Sequence, residues 1–345
     1  MTNSDTTNLR GKAVVTGGAG FIGSHMVDVL VDGGYSVTVI DSLCGGHERN
    51  LAHYKDDPRV CVEVTDIRSL KPGAPAFEGA CFVFHFAGIG DIVPSMKEPA
   101  EYMDVNIQGT VRVLECARAA GVEKFVYAAS SSCYGIADTP TREDHPVSPQ
   151  YPYALSKCMG EEAVFHWHRV YGLPVLSLRI FNAYGTRVRT TGAYGAVFGV
   201  FLKQKLANKP LTVVGDGTQT RDFLYVTDVA RAFLAAAESD KRGEVYNVGA
   251  GNPQSVNKLI GLVGGEGYPI TYIPKRPGEP DCTWADITKT TADLGWAPQV
   301  PLQDGVTRMM AEIENWYDAP LWDASSIEQA TRDWFKYLAP TGDKK

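Results

Sequence analysis

Apolar residues in the first half of the chain form short continuous runs and longer segments with helical spacing. The short runs occur at residues 12–16, 35–40, 60–64, 81–86 and 124–129. One helical pattern separates the first run from the second, and another separates the fourth run from the fifth. Continuous apolar runs of this length are typical of buried parallel strands, because helices cover both faces of a parallel sheet. The pattern therefore predicts an α/β fold with a doubly wound parallel sheet.

The second half of the chain mixes helical and strand patterns over shorter intervals. Helical patterns occur at residues 151–171, 193–207, 226–238, 257–263 and 302–317, and strand patterns at 211–214, 244–248 and 268–273. A last helical pattern, at 327–337, contains Ala330, Trp334 and Phe335. The mixture indicates a smaller C-terminal domain interleaved with further strands of the sheet.

A glycine-rich turn separates the first predicted strand from the first predicted helix. It runs from Gly17 through Gly20 to Gly23 and includes Phe21 and Ile22. This strand–turn–helix context is the one required of a dinucleotide-binding turn. Glycines allow the backbone to approach a pyrophosphate closely, and the N-terminus of the helix receives its negative charge. We therefore expect these five residues to bind a dinucleotide.

The ends of the next strands supply further expected cofactor contacts. Asp41 ends the second strand, where its carboxylate would accept the adenosine ribose hydroxyls and repel a 2′-phosphate, which favours NAD over NADP. Asp66 and Ile67 follow the third strand and are placed to meet the adenine. Ala87 follows the fourth strand and is expected beside the middle of the cofactor, because ligands bind at the carboxyl ends of the strands.

Three serines follow the fifth predicted strand, and a tyrosine–lysine pair lies on the next helix. The hydroxyls of Ser130, Ser131 and Ser132 can donate to a substrate oxygen, although serines after a strand are more often turn formers. Tyr153 and Lys157 are four residues apart and so share one helix face. A nearby ammonium favours the phenolate, which could take a proton from a hydroxyl group near neutral pH. Among 16 tyrosines, such a pair also occurs about once by chance and then marks only a helix surface.

Together these motifs resemble the extended short-chain dehydrogenase/reductase family, and within it the NAD-dependent nucleotide-sugar epimerases and dehydratases. The resemblance is closest to UDP-glucuronate and UDP-hexose 4-epimerases. It covers residues 12–317 and includes motifs at 179–185, 215–226 and 276–279. It implies that NAD binds a Rossmann domain, that Tyr153 is the base on the sugar 4-hydroxyl, and that Ser130 and Ser131 bond the same oxygen. Lys157 would bind the nicotinamide ribose and lower the pKa of the tyrosine.

The resemblance also implies which residues hold the substrate. Asn182, Arg221 and Arg276 fall where family members hold the diphosphate and the nucleotide, and Ser132 is expected at the substrate as well. An arginine suits phosphate through its fixed fork of donors. A surface ion pair is the other common use of an arginine such as Arg221 or Arg276.

The implied domain division follows the order of these motifs. Residues 1–180 would form mainly the NAD-binding Rossmann domain, and 181–317 mainly the nucleotide-sugar-binding domain, with returns to the sheet near 211–248. Residues 318–345 would form a C-terminal helix and tail. Family members commonly pair across a homodimer through helices matching 98–120 and 151–171. Val164, Phe165 and Trp167 offer apolar surface for this pairing, or else belong to the core of one chain.

The residues after the fifth strand discriminate between the reactions of the family. Dehydratases of the family carry Thr-Asp-Glu there, and decarboxylases acting on UDP-glucuronate carry a glutamate in the third place. This chain has Ser131 and Ser132 in the second and third places, so an elimination would lack its acid and base. The expected reaction is therefore 4-epimerisation through a transient 4-keto sugar. A dehydratase, a decarboxylase and a non-catalytic NAD-binding regulator are the alternatives, although a regulator need not retain Tyr153, Lys157 and Ser130 together.

One residue bears on the identity of the sugar. In the UDP-glucuronate 4-epimerases, an arginine seven residues past the position matching Asn182 faces the C6 carboxylate, and Arg189 stands at that spacing. A guanidinium–carboxylate pair would favour a uronate over a neutral hexose. UDP-glucuronate is therefore the expected substrate. UDP-glucose and UDP-N-acetylglucosamine are the alternatives, because the run from Gly192 to Tyr194 also resembles hexosamine epimerases.

The bulk composition restricts partners and location. A formal charge of −7 and a pI near 5.6 argue against nucleic acid or an anionic membrane as a partner. No apolar run reaches membrane-spanning length, and seven scattered cysteines are typical of reduced thiols, so a cytoplasmic protein is expected. The seven histidines show no metal-ligand spacing, and no metal site is predicted.

Overall fold

The computed structural model describes residues 9–191 and 197–338. The strands are β1 (Gly11–Thr16), β2 (Tyr35–Asp41), β3 (Val60–Val64), β4 (Ala80–His85), β5 (Lys124–Ser130), β6 (Val175–Ile180), β7 (Ala183–Tyr184), β8 (Leu211–Val214), β9 (Thr220–Arg221), β10 (Leu224–Tyr225), β11 (Glu244–Val248), β12 (Gln254–Ser255) and β13 (Ile270–Ile273). The α-helices are α1 (Phe21–Asp32), α2 (Ile92–Ser95), α3 (Pro99–Met103), α4 (Thr110–Ala120), α5 (Pro152–Tyr171), α6 (Val197–Leu206), α7 (Val226–Glu238), α8 (Val256–Gly264), α9 (Thr288–Leu294), α10 (Leu302–Ala311) and α11 (Ala324–Leu338).

Seven parallel strands form the central sheet, in the order β11-β6-β5-β4-β1-β2-β3. The chain passes from β1 to β2 and β3 on one side and then returns to β4 on the other side of β1. The carboxyl ends of β1 and β4 therefore flank the point where the strand order reverses, which is where doubly wound sheets bind ligands. The predicted α/β class and doubly wound parallel sheet are confirmed.

Helices cover both faces of this sheet. Apolar residues of α1 and α7 pack on one face, and residues of α4 and α5 pack on the other. A separate apolar cluster joins α6, α8, α10 and α11, and it includes the buried Trp316 and Trp334. None of the helices in the described ranges is long and apolar enough to cross a membrane.

The strands after residue 181 divide between the central sheet and smaller ones. Of the segments expected to return to the sheet near 211–248, β11 pairs with β6. By contrast, β8 pairs with β13 in a separate two-stranded sheet. Strand β6 itself was not among the predicted elements, because Ser177 and Arg179 interrupt its apolar run. Both side chains hydrogen-bond to the buried carboxylate of Glu161 on α5, which explains how they fit into a covered strand.

Two long predicted helices have a different internal structure. The pattern at 98–120 forms α3 and α4, joined by a π-helical turn at Asp104–Gly109. The pattern at 302–317 forms α10 and a 3₁₀ turn at Ile313–Trp316. The start of the helix predicted at 193–207, and the run from Gly192 to Tyr194, lie outside the described residues.

Candidate active site

The glycine-rich turn packs against the chain that leaves β4. Gly17 has a φ of +71°, and a Cβ atom there would lie 2.7 Å from the backbone nitrogen of Ala87. A Cβ atom on Gly23 would lie 2.1 Å from the carbonyl oxygen of Gly17, so both positions require glycine. Gly20 precedes α1, and no side chain caps the N-terminus of this helix. Its first N–H groups therefore fit an anionic ligand such as the pyrophosphate of NAD.

Asp41 lies beside this turn at the end of β2. Its buried carboxylate accepts hydrogen bonds from the backbone N–H groups of Ala19, at 3.0 Å, and Leu43, at 2.8 Å. Phe21 and Ile22 form the start of α1 and are partly buried. The negative charge of Asp41 is thus fixed next to the glycine-rich turn, where it suits the hydroxyls of a ribose.

Asp66 and Ile67 follow β3, the edge strand of the sheet. The Asp66 carboxylate accepts hydrogen bonds from the backbone and the guanidinium of Arg68, and the guanidinium bond holds the pKa of Asp66 below its ordinary value. Ile67 is buried, and a Cβ atom on Gly109 would lie 2.5 Å from its Cδ1 atom. Asp66 is therefore engaged with its own neighbour, while Ile67 supplies apolar surface.

Tyr153, Ser130 and Lys157 come together where β5 ends beside the first turns of α5. Ser130 is buried, and its hydroxyl lies beside the phenol of Tyr153 and favours a lower pKa for it. The same hydroxyl accepts a hydrogen bond from the backbone N–H of Ser132 at 3.2 Å. Lys157 is buried, and its ammonium lies 4.4 Å from the ring centroid of Tyr127. Residues predicted from two separate segments therefore form one cluster.

Burial shifts the tyrosine and the lysine toward their neutral forms. It raises the pKa of Tyr153 well above its ordinary value, and the Ser130 hydroxyl opposes that rise only in part. Burial also lowers the pKa of Lys157 to about 8, against the opposing attraction of the Glu161 carboxylate. With these neighbours alone, the side chain of Tyr153 is a phenol at neutral pH. Proton acceptance by Tyr153 therefore calls for an additional positive charge at the site.

Buried polar contacts hold α5 in place behind the cluster. The side-chain amide of Asn106, on the π-helical turn, donates to the hydroxyl of Ser156 at 2.8 Å and accepts from the backbone N–H of Ile89 at 2.8 Å. Glu161 forms a buried ion pair with Arg179 of β6. Because these contacts tie α5 to the loop after β4 and to the sheet, they fix the position of the helix that carries Tyr153 and Lys157.

A cavity of about 440 Å³ lies beside the cluster. This volume is within the range of small-molecule sites. Five of the residues predicted at the active site line this cavity, namely Ser131, Ser132, Asn182, Arg221 and Arg276. The structure therefore places these five residues around one cavity, and their roles at it stay predictions.

Glu279 connects the two arginines of this cavity. Its carboxylate lies 2.8 Å from the guanidinium of Arg221 and 2.9 Å from that of Arg276. Two positive charges and one negative charge leave a net positive charge, which suits a diphosphate. The side-chain oxygen of Asn182 accepts a hydrogen bond from the hydroxyl of Thr283 at 2.6 Å. This contact fixes the orientation of the amide group and therefore the position of its nitrogen.

Arg189 forms an ion pair with Asp91, a residue that the sequence patterns did not predict at the site. Its guanidinium lies 2.7 Å from a carboxylate oxygen of Asp91, and Asp91 lines the cavity. Tyr151 and Trp334 also line the cavity without having been predicted there. The proximity of Tyr151 to Tyr153 in the sequence was a usable signal, whereas nothing local marked Asp91 or Trp334.

Comparison with known proteins extends these observations. Residues 13–249 match the NAD dependent epimerase/dehydratase family. A putative UDP-glucose 4-epimerase from Methanocaldococcus jannaschii is 37% identical over 88% of this chain and 98% of its own.

Two solved structures are also similar to this chain. The UDP-glucuronic acid 4-epimerase from Bacillus cereus, in complex with UDP-glucuronic acid and NAD, has a TM-score of 0.81 at 33% identity, covering 89% of this chain and 100% of its own. The UDP-N-acetylglucosamine 4-epimerase from Methanobrevibacter ruminantium M1 has a TM-score of 0.82 at 30% identity, covering 88% of this chain and 100% of its own.

The chain belongs to the NAD dependent epimerase/dehydratase family. Membership in this family confirms the predicted resemblance and NAD as the cofactor. The glycine-rich turn and Asp41 fit NAD by their close backbone approach and fixed charge. The roles of the individual site residues stay predictions, as does the sugar.

Proposed function

We propose that this protein catalyses the NAD-dependent 4-epimerisation of a UDP-sugar through a transient 4-keto intermediate. One observation supports this reaction over dehydration or decarboxylation. The two residues after Ser130 that line the cavity are Ser131 and Ser132, and neither can serve as the acid or base of an elimination. Asp91 and Glu279 are acidic residues at the cavity, and each is paired with arginine.

The proposed chemistry assigns proton transfer to the Tyr153 cluster. Tyr153 takes the proton of the sugar 4-hydroxyl on its phenolic oxygen, and Ser130 hydrogen-bonds to the same oxygen of the sugar. NAD, when bound, supplies the acceptor for the C4 hydride and its donor when the hydride returns to the opposite face. In the second half of the reaction, Tyr153 returns its proton to the sugar O4 as the hydride returns to C4. The proton and the hydride removed in the first half are therefore both restored. Lys157 contributes positive charge near the tyrosine.

Two observations favour different sugars. The spacing of Arg189 from Asn182 favours UDP-glucuronate, which we take as the first candidate. The ion pair between Arg189 and Asp91 favours a neutral sugar, as in UDP-glucose or UDP-N-acetylglucosamine, because it already neutralises the guanidinium. The substrate-holding arginines, Arg221 and Arg276, suit the diphosphate in either case.

We also propose that the protein forms a homodimer through α5. Val164, considered as apolar surface from the sequence, lies fully in the core. The exposed apolar residues of the helix instead include Leu155, Met159 and Val170, which are 40%, 45% and 55% exposed. Spacings of four and eleven residues put them on one helix face. Sedimentation is expected to give a dimer at micromolar concentration, and a monomer there would exclude the proposal.

The test of the proposed reaction is NMR-monitored turnover of UDP-glucuronate and UDP-glucose in parallel, with Arg189→Ala beside the wild type. Formation of UDP-galacturonate that the variant loses selectively supports the uronate and the role of Arg189. If UDP-glucose is converted faster than UDP-glucuronate, or if Arg189→Ala has no selective effect on either substrate, UDP-glucuronate is rejected as the substrate. The proposal of 4-epimerisation stands in both cases. Accumulation of a 4-keto product, or release of CO₂, would overturn the proposed reaction.

A further inference from the structure

The last helix of the described chain, α11, lies beyond the stretch of family resemblance, which ends near residue 317. Ile327, Thr331 and Trp334 are buried on one side of α11. This helix is therefore packed onto the body of the protein by a regular apolar face. The two compared epimerase structures are matched over their whole length. They cover 88% and 89% of this chain, respectively, so this chain contains residues that have no counterpart in them.

Trp334 extends from this helix to the cavity. It is 5% exposed and lines the cavity wall. Its indole N–H donates a hydrogen bond to the carbonyl oxygen of Pro277 at 2.7 Å. The guanidinium of Arg276 lies 5.6 Å from its ring centroid, a cation–π distance. A single side chain of α11 thus contacts the segment that carries one of the two cavity arginines.

The same indole also contacts the aromatic pair formed by Tyr151 and Tyr153. The rings of Trp334 and Tyr151 are 5.7 Å apart. Tyr151 in turn stacks on Tyr153, with ring centroids 6.4 Å apart and planes inclined by 10°. Its hydroxyl lies beside Ser132, which also lines the cavity. Trp334 therefore lies between the aromatic pair that includes Tyr153 and the arginine pair joined by Glu279.

We propose that Trp334 is a substrate-binding and positioning residue, through which α11 supplies part of the wall for a nucleoside diphosphate sugar. This inference rests on the proposed function, because it takes the cavity to be the UDP-sugar site. The indole restricts Arg276, whose guanidinium is also paired with Glu279, and it restricts Tyr151. Both effects reduce the conformational freedom that binding would otherwise have to remove.

The proposal predicts weaker nucleotide binding when the indole is removed. Calorimetric titration with UDP is expected to give a Kd about tenfold higher for Trp334→Ala and for Trp334→Leu than for the wild type. Leucine keeps apolar bulk in the core but provides neither a π face nor an N–H donor. With the UDP-sugar, KM should rise similarly while kcat changes less than about threefold, the pattern of lost uniform binding.

Phe335 provides the matched control. It is the next residue of α11, and its side chain is 37% exposed. Phe335→Leu is expected to bind UDP as the wild type does, and all variants are expected to bind NAD with unchanged affinity. The leucine pair keeps the comparison decisive if Trp334→Ala does not fold.

The outcomes separate this inference from the proposed function. If the wild type binds UDP and Trp334→Leu binds it equally well, the role of Trp334 is rejected and the proposed reaction stands. If the wild type does not bind UDP, the proposed substrate class is rejected and the inference with it. If Phe335→Leu weakens UDP binding as much as Trp334→Leu, the effect comes from the stability of α11, and the specific role of Trp334 is rejected.

Discussion

The guanidinium of Arg189 lies 2.7 Å from a carboxylate oxygen of Asp91, although the two residues are 98 positions apart in the chain. Asp91 lines the cavity that we propose as the UDP-sugar site, so the ion pair borders that cavity. The carboxylate of a uronate would compete with Asp91 for the same guanidinium. A neutral hexose would leave the pair intact. If the proposed function holds, the sugar preference therefore depends on the charge of Asp91.

Replacement of Asp91 by asparagine removes that competition. We expect the KM for UDP-glucuronate to fall about tenfold in Asp91→Asn, because one negative charge near the C6 carboxylate is lost and the N–H donors of Arg189 become available to that carboxylate. The KM for UDP-glucose should change less than about twofold, since a neutral sugar does not need the guanidinium. Parallel NMR turnover assays measure both values. An unchanged ratio of the two KM values would exclude a role of this ion pair in selecting the sugar.

Loss of the Tyr153 hydroxyl should affect chemistry rather than binding. We expect Tyr153→Phe to lower kcat on the order of 100-fold or more, which is typical for the removal of a general base. The affinity for UDP should be retained. Tyr151→Phe is the matched control, because it removes a hydroxyl two residues away on a stacked ring. Equal losses of kcat in the two variants would contradict the assignment of Tyr153 as the base.

The glycine-rich turn gives a prediction about NAD. Gly17→Ala places a methyl group 2.7 Å from the backbone of Ala87, so the turn must shift. We expect the NAD affinity measured by fluorescence titration to fall at least about tenfold, because the pyrophosphate needs close backbone approach. Gly73→Ala is the control, since Gly73 has a φ of +84° and nothing within 4 Å of an added Cβ atom. It should cost about 1 kcal/mol of stability through its backbone conformation and leave NAD binding unchanged.

Two buried histidines, His85 and His25, are expected to lower the free energy of unfolding in acid. His85 lies between the hydroxyls of Thr16, at 2.6 Å, and Thr110, at 2.9 Å, and burial lowers its pKa to about 3. Burial also lowers the pKa of His25 to about 4. The unfolded chain, with histidine pKa values near 6.5, binds more protons in this range, so stability falls as the pH falls from about 6.5 toward 3.

The contribution of His85 can be measured by urea unfolding of the wild type and His85→Gln at pH 7 and pH 4.5. Glutamine does not titrate but can bond to both threonines. The wild type should lose about 2 kcal/mol more than the variant between these pH values. Parallel losses in the two proteins would mean that His85 is not the titrating group.

The sequence alone determined the features that depend on local spacing. The strand runs, the glycine-rich turn and the Tyr153–Lys157 pair are each contained within a few residues, so periodicity and backbone chemistry predict them directly. The carboxyl ends of the parallel strands also lie at the same edge of the sheet. For this reason the order of the strands along the chain is enough to predict that Asp41 and Ser130, which end two of them, lie at the same edge of the sheet.

Only the tertiary structure decided which side chains meet across the cavity. The pairing of Arg189 with Asp91, the bridge from Glu279 to Arg221 and the contact of Trp334 with Tyr151 all join distant segments. For Asp66 the deciding contact is local instead. Its carboxylate, expected from the sequence to meet the adenine, accepts a hydrogen bond from Arg68, two residues away. Charge pairing and ring packing depend on distances that loops set after folding, and these distances leave no periodic trace in the chain.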